Sequence, residues 1–364
     1  MPGADSFYAA FPPKLQSRLW TIGLTISLFA IGYRVNTLLA RPSAPGDRVV
    51  ESGRGRSAAT PTDIPAKGWR DIFLRMYDNV GEHRVVALAA GMTFYSLLAI
   101  FPALAAVVAI YSLFSDPASI TAHLDMLSGF LPWGAIDVAR DQLTRLASKG
   151  RQTLGLTFFI GLAVSLWSAN AAMKSLFDTL NIIYAEKEKR SLIRLNVISL
   201  LYTLAAIVLM LLAIGVVVVL PVALQYVGLS DRADLLVRAG RWPGLLIILT
   251  LALAFIYRYG PSRETPRWRW VTPGSALAVI LWLAVSALFS WYTANFGNYN
   301  ETYGSLGAVI GFMTWLWISA MVILVGAELD AEMEHQTARD STTGAEKPLG
   351  LRGATMADTV GSAQ

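Results

Sequence analysis

Asn170, Lys174, Asp178 and Asn181 recur at i, i+4, i+8 and i+11, a spacing that puts all four on one face of an α-helix. Facing a cavity between helices, such a stripe holds an ion or a charged head group. In a headgroup layer, Lys174 and Asp178 instead form an i,i+4 pair that satisfies itself. Glu328 is the first charge after 26 uncharged residues and is followed by Asp330, Glu332 and Glu334. Its depth matches that of Lys174, so Lys174, Asp178 and Glu328 are expected to form one coupled polar site, with Asn170 extending it inward. Glu328 serves there as a pairing partner or as a proton or substrate site. A second cluster, Asn295, Asn298, Tyr299, Asn300 and Tyr303, falls in one short segment. It either caps helix ends or lines an external vestibule.

Covalent and metal chemistry find little to work with. The chain has no cysteine, and its three histidines, His83, His123 and His335, are far apart. Clustered ligands for a water-activating metal are therefore not in view. P-loop, HExxH and GxSxG strings do not occur. No catalytic residue, metal site or cofactor is expected, and any energy source for transport is an ion gradient or a partner ATPase.

The elements that must hold these side chains are membrane helices. Of 364 residues, 54% are hydrophobic and 15% charged, against roughly 25% charged in soluble domains. Five uncharged runs, Val85 to Ser115, Gln152 to Met173, Leu195 to Ser230, Trp270 to Asn300 and Thr302 to Ala327, reach the about 20 residues that a bilayer requires. Trp242 to Tyr257 makes a sixth if Arg241 and Arg258 snorkel to opposite interfaces. The expected fold is all-α, a polytopic transmembrane bundle with six core spans near 90–114, 153–177, 197–222, 242–259, 273–295 and 305–328. Gly297, Asn298, Asn300 and Gly304 mark a turn that makes the last two spans antiparallel. Gly304, Gly307 and Gly311 give small-residue spacing for a close helix contact.

Residues 184–195 and 257–270 carry 8 Lys and Arg in 26 positions, whereas 115–152, 226–241 and 295–304 carry 7 in 64. The denser pair is expected on the cytoplasmic side, with residues 67–84 and the tail after Glu328. Trp69 to Arg84 has apolar residues at helical spacing and reads as an amphipathic helix, lying in the cytoplasmic interface or packed beneath the bundle. WRDIFLR at 69–75 and RWRW at 267–270 interleave basic and aromatic residues, as nucleic-acid surfaces do, but beside membrane spans these are interfacial anchors. Residues 1–40 form a hydrophobic extension, with Leu19 to Tyr33 as an extra span or interfacial helix. Residues 41–68 read as a disordered linker, 69–336 as the membrane domain and 337–364 as a flexible cytoplasmic tail.

Three strings, DNVGEHRVVALAAGMTFYSLLAIFPAL at 78–104, LWSANAAMKSLFDTLNIIY at 166–184 and NYNETYGSLGAVIGFMTWLWISAMVILVGAELDAE at 298–332, resemble the YihY/virulence factor BrkB family of bacterial inner-membrane proteins. The resemblance covers residues 68–340 and implies a six-helix inner-membrane core with both ends cytoplasmic. It implies transport, export or lipid handling of an unknown substrate. The alternative is a non-transporting scaffold or interaction protein. An older label, ribonuclease BN, travels with the family and fits poorly with the scattered histidines. Membrane lipids and a small-molecule or lipid substrate are the expected partners, nucleic acid is not, and a homo-oligomer is compatible with such a bundle.

Overall fold

A computed structural model of the chain describes residues 53–114, 154–214, 216, 231–296 and 307–364. Among the described residues there are eight α-helices: α1 Ala66–Glu82, α2 Val85–Phe114, α3 Leu154–Ile183, α4 Leu192–Ile214, α5 Asp231–Tyr259, α6 Thr272–Phe296, α7 Gly307–Gln336 and a single turn, α8 Thr355–Asp358. The N-terminal extension 1–40, the first part of the 41–68 stretch and residues 297–306 lie outside the described residues.

Uncharged runs set the long helices, because in hydrocarbon every backbone amide and carbonyl must be satisfied within its own segment. Among the described residues, Leu192–Ala213, Trp268–Thr293 and Val309–Gln336 are long and apolar enough to cross a membrane, while Val85–Ala99 and Pro243–Tyr259 are shorter apolar stretches. Three such segments stand where six core spans were expected.

The last long helix, α7, packs against α1, α2, α3, α6 and α8. The core it helps to build contains Ala89 of α2, Leu180 of α3, Tyr257 of α5, Ala278 of α6 and Leu324 of α7, all essentially without exposed surface. Reciprocal hydrogen bonds join α6 and α7: Trp282 Nε1 donates to Ser319 Oγ at 3.1 Å and Trp315 Nε1 to Ser286 Oγ at 3.2 Å. A helix pair in lipid needs such polar contacts and small residues, since apolar burial adds little there. The tight approach is at Gly274 and Gly326, where a Cβ on either glycine would run into the backbone oxygen of the other. Gly311, expected to lie at a close contact, has open space at its Cβ position.

On α1, Gly68, Asp71, Ile72 and Arg75 are buried at i, i+3, i+4 and i+7, and this face packs against α7. Phe73 and Tyr77 are exposed on the rest of its surface. Arg84, with φ 55°, turns the chain from α1 into α2.

The stretches expected to be disordered or flexible are folded where they are described. Ala58 and Ile64 join a cluster with Ile72, Trp270, Leu329 and Met333. In the tail, Thr337, Ser341, Ala354 and Ala357 are buried. These segments are too polar to form a core alone, but hydrogen bonds to each other and to the ends of the long helices offset their ordering.

Candidate functional site

The end of α7 reads AELDAEMEHQ, and its polar side chains fan out in steps of about 100° towards different neighbours. Glu328, fully buried, takes the Nδ1 of His83 at 2.6 Å on one carboxylate oxygen, and its Oε2 has no partner. Asp330 accepts the Gly274 amide of the first turn of α6 at 2.7 Å, and its Oδ2 is likewise unpartnered. Glu332 accepts Arg75 Nε on one oxygen and Asn79 Nδ2, at 2.8 Å, on the other. Glu334 receives both terminal nitrogens of Arg263, at 2.8 and 3.0 Å, and the Ser341 hydroxyl at 3.0 Å. Gln336 completes the series, accepting from Arg75 and donating to the carbonyl of Arg54.

Four stretches distant in sequence are joined at this end of the bundle. Asn181 accepts the Ser262 amide at 2.7 Å and donates to Glu188 at 3.1 Å, so the loops after α3 and α5 meet on one side chain. Arg190 adds a bond to the Gly260 carbonyl at 2.8 Å. Thr355 of the tail donates its amide to Glu186. Residues 341–343 run antiparallel to 265–267 through the Arg267 amide to Ser341 oxygen and the Thr343 amide to Thr265 oxygen, each 2.9 Å. Arg56 bonds the carbonyls of Gln336 and Gly361, and Arg75 that of Ser362. The loops 184–191 and 260–271, the segment 53–84 and the tail therefore share one end of the bundle.

Charges outside the spans respond to these contacts. The Glu188 carboxyl is lowered to about 2: partial burial acts to raise it and is overcome by Arg190, whose side chain and amide bond to it, and by Asn181. His83 is raised, chiefly by its hydrogen bond to Glu328 and against the opposing effect of burial. Burial acts to lower Arg263, but the charge of Glu334 outweighs it and holds Arg263 above its ordinary range. Arg263 also lies over the Tyr184 ring, 3.9 Å from its centroid.

Of the residues singled out from sequence, Asn181 and Glu328 belong to this layer. Lys174 donates to Asn196 of α4 at 3.0 Å, Asp178 is exposed, and Asn170 has a buried Oδ1 without a partner. Glu328 thus has His83 as its partner where Lys174 was expected, and the polar stripe of α3 divides between α4 at Lys174 and the loops at Asn181. Asn295 lies in α6, and Asn298, Tyr299, Asn300 and Tyr303 lie outside the described residues. His83, Arg75, Asn79 and Arg263 were not anticipated. One sequence signal for Arg75 exists: with Gly68, Asp71 and Ile72 it occupies a single stripe of α1, which makes it a buried charge once that stripe packs. Among the described residues no group of three or more His, Cys, Asp or Glu could hold a metal ion.

An all-α architecture with several apolar helices of spanning length and ionisable groups gathered at one end defines a multi-pass membrane protein. The chain belongs to the Virulence factor BrkB family, which it matches over residues 76–349. It is similar to the ribonuclease-like protein YfkH of Bacillus subtilis, with 30% identity over 270 residues, 72% of this chain and 93% of that one. It is 29% identical to the UPF0761 membrane protein NMB0524 of Neisseria meningitidis serogroup B over 75% of this chain. A UPF0761 membrane protein of Alkalilimnicola ehrlichii is 30% identical over 80% of it. These alignments cover 64% and 65% of those two longer relatives. No solved structure matches.

Proposed function

We propose that this chain is a six-span inner-membrane protein that transports, exports or handles a small-molecule or lipid substrate, with the polar layer at the end of α7 on the cytoplasmic side. The reading assigns it no catalysis, no cofactor and no nucleic-acid partner. The supporting observation is Glu328: fully buried, bonded through one oxygen to His83 and unpartnered at the other. Ionisable groups buried inside membrane domains mark substrate and proton pathways. Asn170, with its unpartnered oxygen in the same bundle, is a second polar point for that pathway.

The test is movement of a fluorescent head-labelled phosphatidylglycerol across reconstituted vesicles, together with rescue of a deletion strain's growth phenotype. Wild-type protein accelerates lipid movement or restores growth, and Glu328→Gln at equal expression loses the effect. Rescue by Glu328→Gln as good as wild type, with vesicles no faster than protein-free ones, overturns the transport reading.

A scaffold reading is favoured by Leu349 and Leu351, which are exposed on the tail. In that case Leu349→Ser with Leu351→Ser abolishes the phenotype while Glu328→Gln keeps it.

A further inference from the structure

Arg258 stands at the end of the apolar part of α5, one residue before the helix stops. It is 8% exposed, yet its Nε and Nη1 are buried without any hydrogen-bond partner. What it has is aromatic: its guanidinium lies 4.3 Å from the Trp268 ring centroid and 5.1 Å from that of Tyr259. Ring faces attract the charge but accept no directed hydrogen bond of normal strength, so the N–H groups stay unsatisfied. Every other buried arginine of this layer differs. Arg75 and Arg263 each reach a carboxylate, and Arg352 donates to four carbonyls.

The surroundings say what supplies the missing acceptor. Trp268 packs edge-on against Phe255 and Tyr259, at 4.9 and 6.3 Å between centroids. All three rings keep a third to a half of their surface exposed. From there Tyr259, Phe255, Leu251 and Ile248 run back along α5 at helical spacing, each exposed, as one apolar stripe. A cation beside amphipathic rings at the head of an apolar track matches a phospholipid in its two parts, phosphate above and acyl chain below. The fork of a guanidinium fits two phosphate oxygens. An aqueous anion would have no use for the stripe.

We propose that Arg258, walled by Trp268 and Tyr259, binds the phosphate of an anionic phospholipid, whose acyl chain lies along Phe255, Leu251 and Ile248. The site rests on the membrane placement of α5 and not on transport by the Glu328 layer. Trp268 is the ring nearest the guanidinium and is 39% exposed.

The experiment uses the full chain in detergent, with short-chain phosphatidylglycerol, short-chain phosphatidylcholine and inorganic phosphate as probes, read by native mass spectrometry and thermal shift. Phosphatidylglycerol binds saturably and more tightly than phosphatidylcholine. Arg258→Gln weakens it by about tenfold or more and Arg258→Lys by less, as expected when a bidentate charged bond is lost. A measurement on unaltered Arg258 covers misfolding of these variants: in vesicles, brominated phosphatidylglycerol quenches tryptophan fluorescence more than brominated phosphatidylcholine, and Trp268→Phe removes the excess. Equal binding by Arg258→Gln, equal binding of the two lipids, or inorganic phosphate binding as tightly as phosphatidylglycerol overturns the proposal. The last result assigns the site to a free anion. Failure of the chain to fractionate with vesicles would instead count against its membrane placement.

Discussion

Arg263 and Glu334 face each other through two hydrogen bonds, at 2.8 and 3.0 Å, with neither side chain exposed. One comes from the loop after α5 and the other from the last turns of α7, so the pair joins two helix ends. Removing one partner leaves an uncompensated buried charge, at a cost of about 3–5 kcal/mol. Arg263→Met and Glu334→Gln should each lower the thermal midpoint strongly in detergent. The double replacement should cost less than the sum of the two, and additive losses would show that the pair is not coupled.

His83 gives the protein a pH dependence. Its folded value is raised above the ordinary 6.5, so the stability drawn from protonated His83 is complete below about pH 6.5. It is lost as pH rises through the raised value. The thermal midpoint of the wild-type chain should therefore fall as pH rises from about 6.5 through the raised value. His83→Gln should flatten that part of the profile, and an unchanged slope would assign the dependence to another group.

Gly274 and Gly326 let α6 and α7 approach closely. A methyl at Gly274 would meet both the Gly326 carbonyl and the Asp330 carboxylate. Overpacking of this kind costs about 1–3 kcal/mol. Gly274→Ala should lower the thermal midpoint, whereas Gly311→Ala, with open space at its Cβ position, should leave it nearly unchanged.

Orientation is open to cysteine labelling, because the chain has no cysteine of its own. A single cysteine at Glu188 should resist an impermeant maleimide in intact cells, and one at Asn298 should react. The reverse pattern would invert the topology given under the proposed function.

Purified protein should not cleave RNA in the presence of divalent metals. Activity that survives stringent purification and is abolished by one replacement in this chain would contradict the reading.

Some helix ends were legible from the charges that flank an apolar run: the span expected at 273–295 matches α6 to within a residue, and the one expected at 242–259 ends with α5, which begins earlier, at Asp231. The last long helix, α7, was expected to stop at Glu328 and instead runs on to Gln336. Acidic residues read as the edge of the membrane, but here each finds a partner and stays helical. Depth along a helix gave the height of Glu328 and not its azimuth, so the approach of His83 from the α1–α2 junction was not visible. Arg352 shows why the tail misled. Its segment is polar and poor in large apolar residues, the signature of mobility, but one buried guanidinium holds the carbonyls of Ala338, Arg339, Lys347 and Ala357 together.

The bonds from Arg56 to Gly361 and from Arg54 to Gln364 close loops of 305 and 310 residues. At about 5–20 residues per second of synthesis, the early partners wait on the order of tens of seconds for the late ones. The helices between them can insert and pair during that interval, since each satisfies its own backbone. The contacts of this layer that need residues 328–364 thus form only after the earlier helices have been synthesised. A ribosome stalled before residue 330 would hold an inserted but unfastened protein, open to proteases at the very end that the finished molecule closes.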